Sequence, residues 1–458
     1  MKVDRSRLPV VGSDPLFTFP RIQRHRLSNG LDVRTAEHHT VPLVTFVLQV
    51  GNGSGSDPSD REGLAALTAD MIDEGTGGLS AIDISEAMAR IGAEFDIEAG
   101  ADATAVTLTT LTRFVDRGAA LLADLAARPS LREEDFDRVR QLRLDRLRQL
   151  RDLPAALAER AFLRLLYGPH PYGHLSIGNE QALRAMGIDD VRVFHAAAFR
   201  PSRATLVVVG DLTHEELRAA AERAFGGWPA TAADGARGAG PADVDPAVVP
   251  STRLAIIPRE RAAQSLLRIG HLSARRTSPD YPALLVMNAV LGGAFVSRVN
   301  LKLREEKGYT YGARTGFDWR RGISPFSLEA SVDTLSTADA IRDSLAELGA
   351  IRGERPVNPR ELTLAKATLT RGYPRNFETA QQVARSIGQL VLYDLPDTYF
   401  EAFVPKINAI ASDDVTRAAH AHLNPSRLAT LVVGDRDAIA DAVGALDLGE
   451  PVILSSEG

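Results

Sequence analysis

Two side chains in the second half of this sequence have the types and spacing for chemistry on a carbonyl group. Arg304 and Tyr311 stand seven residues apart in LREEKGYTYG. A guanidinium and a phenol both donate hydrogen bonds, and both can hold a carbonyl oxygen as it gains negative charge. Structural roles compete with this one. Arg304 precedes Glu305 and Glu306 and could pair with a carboxylate at the surface. Tyr311 could fill a half-buried strand position, and Tyr309 would share its strand face. Several other chemistries are excluded. The chain has no cysteine, so disulfides, thiolate metal sites and cysteine nucleophiles are ruled out. Its ten histidines are His25, His38, His39, His170, His174, His195, His214, His271, His420 and His422, and none falls in an HxxEH or HExxH pattern. His38 and His39 adjoin at an expected strand end, where neighbouring side chains face opposite ways. His170 and His174 lie in a loop, GPHPYGH. Surface or hydrogen-bonded roles are expected for these histidines. Gly292-Gly293 lacks the spacing of a phosphate loop and suits close helix packing or a hinge.

The elements that position these residues come in two similar sets. DDVRVFHAAAFRPSRATLVVVGD, from Asp189, aligns without a gap with DDVTRAAHAHLNPSRLATLVVGD, from Asp413. Eleven of the 23 positions are identical at an offset of 224 residues, where roughly one or two matches are expected by composition. Each copy reads as a helix, a Pro-Ser-Arg turn and an apolar strand ending in Gly-Asp. LVTFVLQVGNG, from Leu43, and AQSLLRIGHLS, from Ala263, are a fainter pair of strands. The stretch between, rich in Ala, Gly, Pro and Asp, reads as a linker over 231–250. The expected domains are therefore 1–230 and 251–458. In the first, a hairpin turns at Asn29-Gly30, ADATAVTLTTL alternates as a half-buried strand, and helices follow at about 112–127, 133–152 and 155–166. Ser80 is a plausible N-cap. In the second, strands at LAIIP and SLLRIG precede helices across 280–305. A hairpin of YTYGARTGF and FSLEASV and helices at about 336–350, 358–372 and 377–393 complete it. This order suits an α+β fold better than a doubly wound parallel sheet.

The bulk properties set limits. With 458 residues, the chain is too long for one core. A net charge of −6 argues against general nucleic-acid binding. The helix RVRQLRLDRLRQLRD carries Arg138, Arg140, Arg143, Arg146, Arg148 and Arg151, which reads as a solvated basic face or, alternatively, a docking surface for an acidic partner. No apolar run approaches the ~18 residues of a membrane span, and the first twenty residues lack a signal-peptide core. A cytoplasmic location is expected, or a periplasmic one had a leader been removed.

Three segments carry a family resemblance. GLAALTADMIDEGT (Gly63 to Thr76) resembles the active-site helix of the pitrilysin or insulinase family of zinc peptidases, which includes the mitochondrial processing peptidase type. There the pattern is Gly-Leu-Ala-His-x-x-Glu-His-Met-x-x-x-Gly-Thr. NAVLGGAFVSRVNLKLREEKGYTYGARTGF (Asn288 to Phe317) resembles the hallmark of that family's C-terminal domain, and PRNFETAQQVARSIGQLVLYDLPDTYF is similar to it too. The resemblance covers nearly the whole chain. It implies two homologous halves, each of two related α+β units, closing like a clam around a chamber. The zinc motif is where this sequence departs. The positions of the two His and the Glu are Ala66, Ala69 and Asp70. The third ligand, a Glu on a later helix, has no counterpart between Asp135 and Pro154. A lone Asp70 or Asp145 cannot assemble the three-ligand site of a catalytic zinc.

By that resemblance, Arg304 and Tyr311 project into the chamber and hold substrate opposite a zinc carried by another chain. The expected function is a non-catalytic, substrate-binding subunit of a heterodimeric zinc metallopeptidase. Its expected partners are an HxxEH-bearing homologue and a peptide, with no nucleic acid and no membrane. No cofactor is expected in this chain, and zinc is expected in the partner. A homodimer is possible without that partner. The alternatives are a purely structural assembly subunit, a homodimeric peptide-binding protein, or a peptidase with an unrecognised site.

Overall fold

The computed structural model describes residues 17–230, 250 and 252–455. The linker expected over 231–250 lies, Pro250 apart, outside the described residues. Each half builds one six-stranded sheet. The first contains β1 (Gln23–Arg26), β2 (Asp32–Glu37), β3 (Leu43–Val50), β4 (Glu94–Ala99), β5 (Thr104–Leu111) and β6 (Ala204–Gly210), in the order β1-β2-β6-β3-β5-β4. The second contains β7 (Leu254–Pro258), β8 (Gln264–Leu272), β9 (Thr310–Phe317), β10 (Pro325–Asp333), β11 (Ala429–Gly434) and β12 (Val452–Ile453), in the order β9-β10-β8-β11-β7-β12. Five strands correspond: β4-β5-β3-β6-β2 repeats as β9-β10-β8-β11-β7. In both runs the last pair is parallel and the others are antiparallel. The sixth strands differ, because β1 runs antiparallel to its neighbour and β12 parallel.

The fold is thus α+β, duplicated in tandem as a clam-shell of two domains. One expectation fails. Each half is a single unit, not two related ones, because the duplicated segment recurs only once along the chain and one sheet consumes the apolar surface of each half.

The helices of the first half include α1 (Leu64–Asp70), α2 (Ala81–Arg90), α3 (Val115–Ala127), α4 (Glu133–Arg151), α5 (Pro154–Tyr167), α6 (Ile188–Ala198) and α7 (His214–Phe225). Those of the second include α8 (Tyr281–Asn288), α9 (Thr337–Ala350), α10 (Pro359–Thr370), α11 (Ala380–Leu392), α12 (Ser412–His422) and α13 (Arg436–Gly444). The repeated segment folds alike twice: α6, a 3-10 turn at Pro201–Arg203 and β6, then α12, a turn at Pro425–Arg427 and β11. Ser80 caps α2, its hydroxyl accepting from Asp83 N while the Asp83 carboxylate accepts from Ser80 N.

The central strands of each sheet are buried on both faces, and different helices cover them. Along β6, Leu206 and Val208 face the first half's own helices, among them Leu67 of α1, Leu122 of α3 and Leu217 of α7. Val207 and Val209 face the other way. There they meet Val383, Ala384, Ile387 and Leu390 of α11, which comes from the second half. The second sheet mirrors this. Ile256, Ile269 and Val432 meet their own helices, while Ile257, Leu266, Leu431 and Val433 pack on Leu157, Ala161, Phe162 and Leu166 of α5, from the first half. The period of two along each strand assigns alternate residues to the two cores. Each half therefore lends a helix to finish the other's sheet. Polar contacts lock the exchange: Tyr167 Oη donates to Ile323 O at 2.6 Å, and Arg320 Nη1 donates to Tyr172 O at 3.0 Å.

The segment Tyr281–Glu306 reaches a mean hydropathy of 1.5 over 18 residues, long and apolar enough to cross a membrane. The sequence shows no uninterrupted apolar run there because Asn288, Ser297, Arg298 and Asn300 punctuate it. Its apolar residues, including Leu284, Met287, Leu291, Val299 and Leu303, form the second core.

Reciprocal coverage should couple the halves in unfolding. Trp228 sits in the first core and Trp319 beside the second. Urea transitions read by each tryptophan, with the other replaced by Phe, are expected to coincide. Ile387→Ala should shift both to lower urea, by about 2–4 kcal/mol. Well-separated transitions, with Ile387→Ala moving only one, would contradict the coupling.

Candidate functional site

Helix α1 begins where the chain is pinned. Asp57 accepts from Gly63 N and Ala65 N, each at 2.7 Å, capping the helix with a carboxylate. His174 closes this buried pair from the GPHPYGH loop, its Nε2 lying 3.0 Å from Asp57 Oδ2. Gly63 has φ +99°, and a Cβ on it would lie 2.9 Å from Gly178 Cα, so the loop and the helix start require glycine there. Leu64 to Ala69 are buried, with Leu64, Ala65 and Leu67 in the first core.

Ala66, Ala69 and Asp70 share one helical face, as positions i, i+3 and i+4 must. Ala66 and Ala69 are buried methyls. Asp70 turns outward and pairs with Arg143 of α4, whose Nη2 also donates to Ser176 O at 2.9 Å. Arg143 is buried. The face that would bind a metal thus carries a guanidinium already bonded to the only carboxylate of the three positions. An arginine stays charged at any ordinary pH, so an entering dication would meet a fixed positive charge. Asp145 lies on the exposed side of α4, paired with Arg148 and Gln141.

Arg304 and Tyr311 sit in the other half, on elements of the second core. Arg304 lies in a π-helical stretch, Leu301–Glu306, of a kind often found at functional sites. Its guanidinium stacks 4.5 Å over the Phe295 ring and lies 3.6 Å from Glu305. Glu306 pairs instead with Lys302, at 2.6 Å. Phe295 is exposed. Tyr311, on edge strand β9, is 92% exposed, so the half-buried strand role does not hold for it. A bulge between Thr310 and Ala313 breaks the strand's alternation. Tyr309 consequently packs partly buried against the second core while Tyr311 faces outward. Asn300 organises the junction. Its Nδ2 donates to Phe295 O at 3.0 Å, and its Oδ1 accepts from Ala313 N at 2.9 Å. Gly292 lets β9 pass close, since a Cβ there would lie 2.5 Å from Thr315 N. This is the packing role, and no phosphate loop forms.

Most of the histidines have ordinary partners or sit at the surface, while His25 Nε2 and His38 Nδ1 are buried without a hydrogen bond among the described residues. His195 Nε2 bonds Ala126 O at 2.9 Å, and burial pulls its pKa down. Burial draws His271 down to about 4, with Nδ1 bonded to Leu272 O and Nε2 accepting from Asn424 N. His39 is raised by hydrogen bonds to Asp211 and Glu37. His422 pairs with Asp280 at 2.8 Å. Among the described residues, no group of three His, Asp or Glu side chains is placed to hold a metal ion. The arginines of α4 are largely engaged within the chain: Arg138 with Glu74, Arg140 with Asp137, Arg148 with Asp145 and Arg151 with Glu180. Little is left of a docking face for an acidic partner.

Arg143, Asn300 and Phe295 escaped the sequence reading. For Arg143 a signal existed: Val139, Arg143 and Leu147 are spaced four apart, which puts the arginine inside the buried stripe of α4. Asn300 and Phe295 had none, because their roles depend on the loop's return to β9.

Comparison with known proteins places this geometry. Residues 32–174 match the model described as Insulinase (Peptidase family M16), and residues 185–369 match Peptidase M16 inactive domain. An uncharacterized zinc protease of Mycobacterium tuberculosis is 24% identical over 412 residues, covering 90% of this chain and 93% of that protein. The non-peptidase homolog YmxG of Helicobacter pylori is 20% identical over 404 residues, covering 87% and 91%. The solved peptidase M16 inactive domain from Pseudomonas fluorescens superposes with a TM-score of 0.84 at 24% identity, covering 90% of this chain and 98% of that one.

The closed face of α1 generates a direct expectation. Untagged, dialysed protein should carry far less than one zinc per chain by elemental analysis. A stoichiometric zinc would contradict the reading and redirect attention to the histidines.

Proposed function

The chain belongs to the insulinase family of peptidases, family M16, as a member without the family's zinc ligands, and we propose that it is the substrate-binding subunit of a heterodimeric zinc peptidase. The observation that carries this reading is the contrast between the two halves. The zinc positions are closed by two methyls and an Asp70–Arg143 ion pair. The Arg304/Tyr311 junction is open, with a stacked guanidinium and a fully presented phenol. Monomeric proteins rarely expose a contiguous apolar patch without a use for it. Phe295, Val296, Leu301 and Tyr311 are all exposed at this junction.

The proposed partner is a homologue bearing HxxEH. Its zinc would polarise the scissile carbonyl and activate water. Arg304 and Tyr311 would approach from the opposite wall and donate to the peptide, including the oxygen that gains charge. The Phe295 ring holds the Arg304 guanidinium in place and adds a cation–π contact. Asn300 fixes the loop and strand that carry these groups.

Mixing the chain with a zinc-bearing homologue is expected to yield peptide hydrolysis that neither chain shows alone. In that complex, Arg304→Ala or Tyr311→Phe should lower kcat by roughly 10²–10³ with a smaller change in KM. Tyr311→Phe should fold normally, because the side chain is exposed. Tyr309→Phe is the control and should turn over as the parent does. If both variants assemble and turn over normally, the two residues are structural. If the homologue is fully active without this chain, the heterodimer reading fails.

A further inference from the structure

The surface away from α1 holds a second constructed site. Between the halves lies a cleft of about 600 Å³, a volume typical of ligand pockets. Its floor is aromatic and cationic. Arg276 is 6% exposed and stacks 3.6 Å over Tyr281 and 4.9 Å over Tyr399. Its one side-chain hydrogen bond among the described residues goes from Nη2 to Tyr399 Oη, at 2.7 Å. No carboxylate among the described residues pairs with it. A buried cation usually has one, since desolvating a charge is costly. The cation–π contacts offset part of that cost, but most of the five guanidinium donors remain unused.

The rest of the cleft completes the pattern. Arg385 of α11 also lines it, exposed and without an ion pair among the described residues. On the facing wall, the edge strand β4 presents Asp96 and Glu98, which likewise make no ion pair there. Gln49 of β3 is 8% exposed overall and borders the cavity, and its side-chain amide makes no hydrogen bond among the described residues. The cavity thus sets two cations against two carboxylates, none of them in an ion pair among the described residues, with the Gln49 amide on one wall.

We propose that this cleft binds a short peptide with free termini, its α-carboxylate on Arg276 and Arg385 and its ammonium toward Asp96 and Glu98. Arginine grips a carboxylate through two parallel hydrogen bonds. Gln49 supplies a donor or an acceptor to the peptide backbone between the ends. The site lies on the sheet face opposite α1, and it stands apart from the heterodimer reading, since it requires no partner and no zinc.

Trp319 lines the cleft and Trp228 is buried in the first core, so Trp319 fluorescence in a Trp228→Phe chain reports occupancy. Tri-alanine with free termini is expected to give a saturable change. Its C-terminal amide should bind at least ~10-fold more weakly, and its N-acetyl form several-fold more weakly. Free alanine, which has no peptide group for Gln49, should also bind at least ~10-fold more weakly. Arg385→Ala removes an exposed, unpaired side chain, so the fold should survive. It should weaken tri-alanine about 5-fold or more. Gln49→Ala provides a second, uncharged variant with loss in the same direction. No saturation up to about 10 mM, equal binding of the amide, equal binding of alanine, or indifference to both variants would each overturn the assignment.

Discussion

Neither sheet in this protein is finished by its own half. Alternate residues along β6 and β11 point to opposite faces, and a buried strand needs apolar cover on both. The cover for the second face arrives from across the duplication: α11 on the first sheet and α5 on the second. Everything else is hung on this exchange. It brings the GPHPYGH loop against Arg320, where Tyr172 O meets the guanidinium. It also leaves open, where the lent helix stops, the cleft that holds Arg276 and Gln49. Side-by-side domains joined only by a linker would have no such shared interior.

The same scaffold was used differently by its two copies. In the first half, the helix after β3 is buried through Ala69 and closed at its end by Arg143 and Asp70. In the second half, the helical stretch after β8 ends in an irregular turn and delivers Arg304 to the surface. The bulge in β9 then aims Tyr311 outward while Tyr309 stays against the core. A closed metal face and an open donor face are complementary halves of one peptidase chemistry.

Much of this was legible in the sequence. The Pro-Ser-Arg turns and Gly-Asp strand ends recur because both copies need the same helix stop and central strand, and the two segments folded alike. Helices near 133–152 and 155–166 emerged as α4 and α5 because their apolar spacing is regular. The number of units per half was misread, since a resemblance to a larger family pattern says nothing about how many sheets the chain can fill. The destiny of α5 and α11 was also hidden: an apolar stripe shows that a helix is buried, not against which half. Arg143 sits on a helix that reads as a solvated basic face, although its spacing with Val139 and Leu147 sets it apart. Phe295 and Asn300 matter only through a loop's return to β9, which local sequence does not encode.

The central claim is that this chain completes another chain's site. The most direct measurement is affinity purification of the protein from its native cell, with identification of whatever remains bound after stringent washing. The account predicts a homologous chain carrying HxxEH, recovered in roughly equal amount. Recovery of the protein alone, or with partners that all lack that motif, would contradict it.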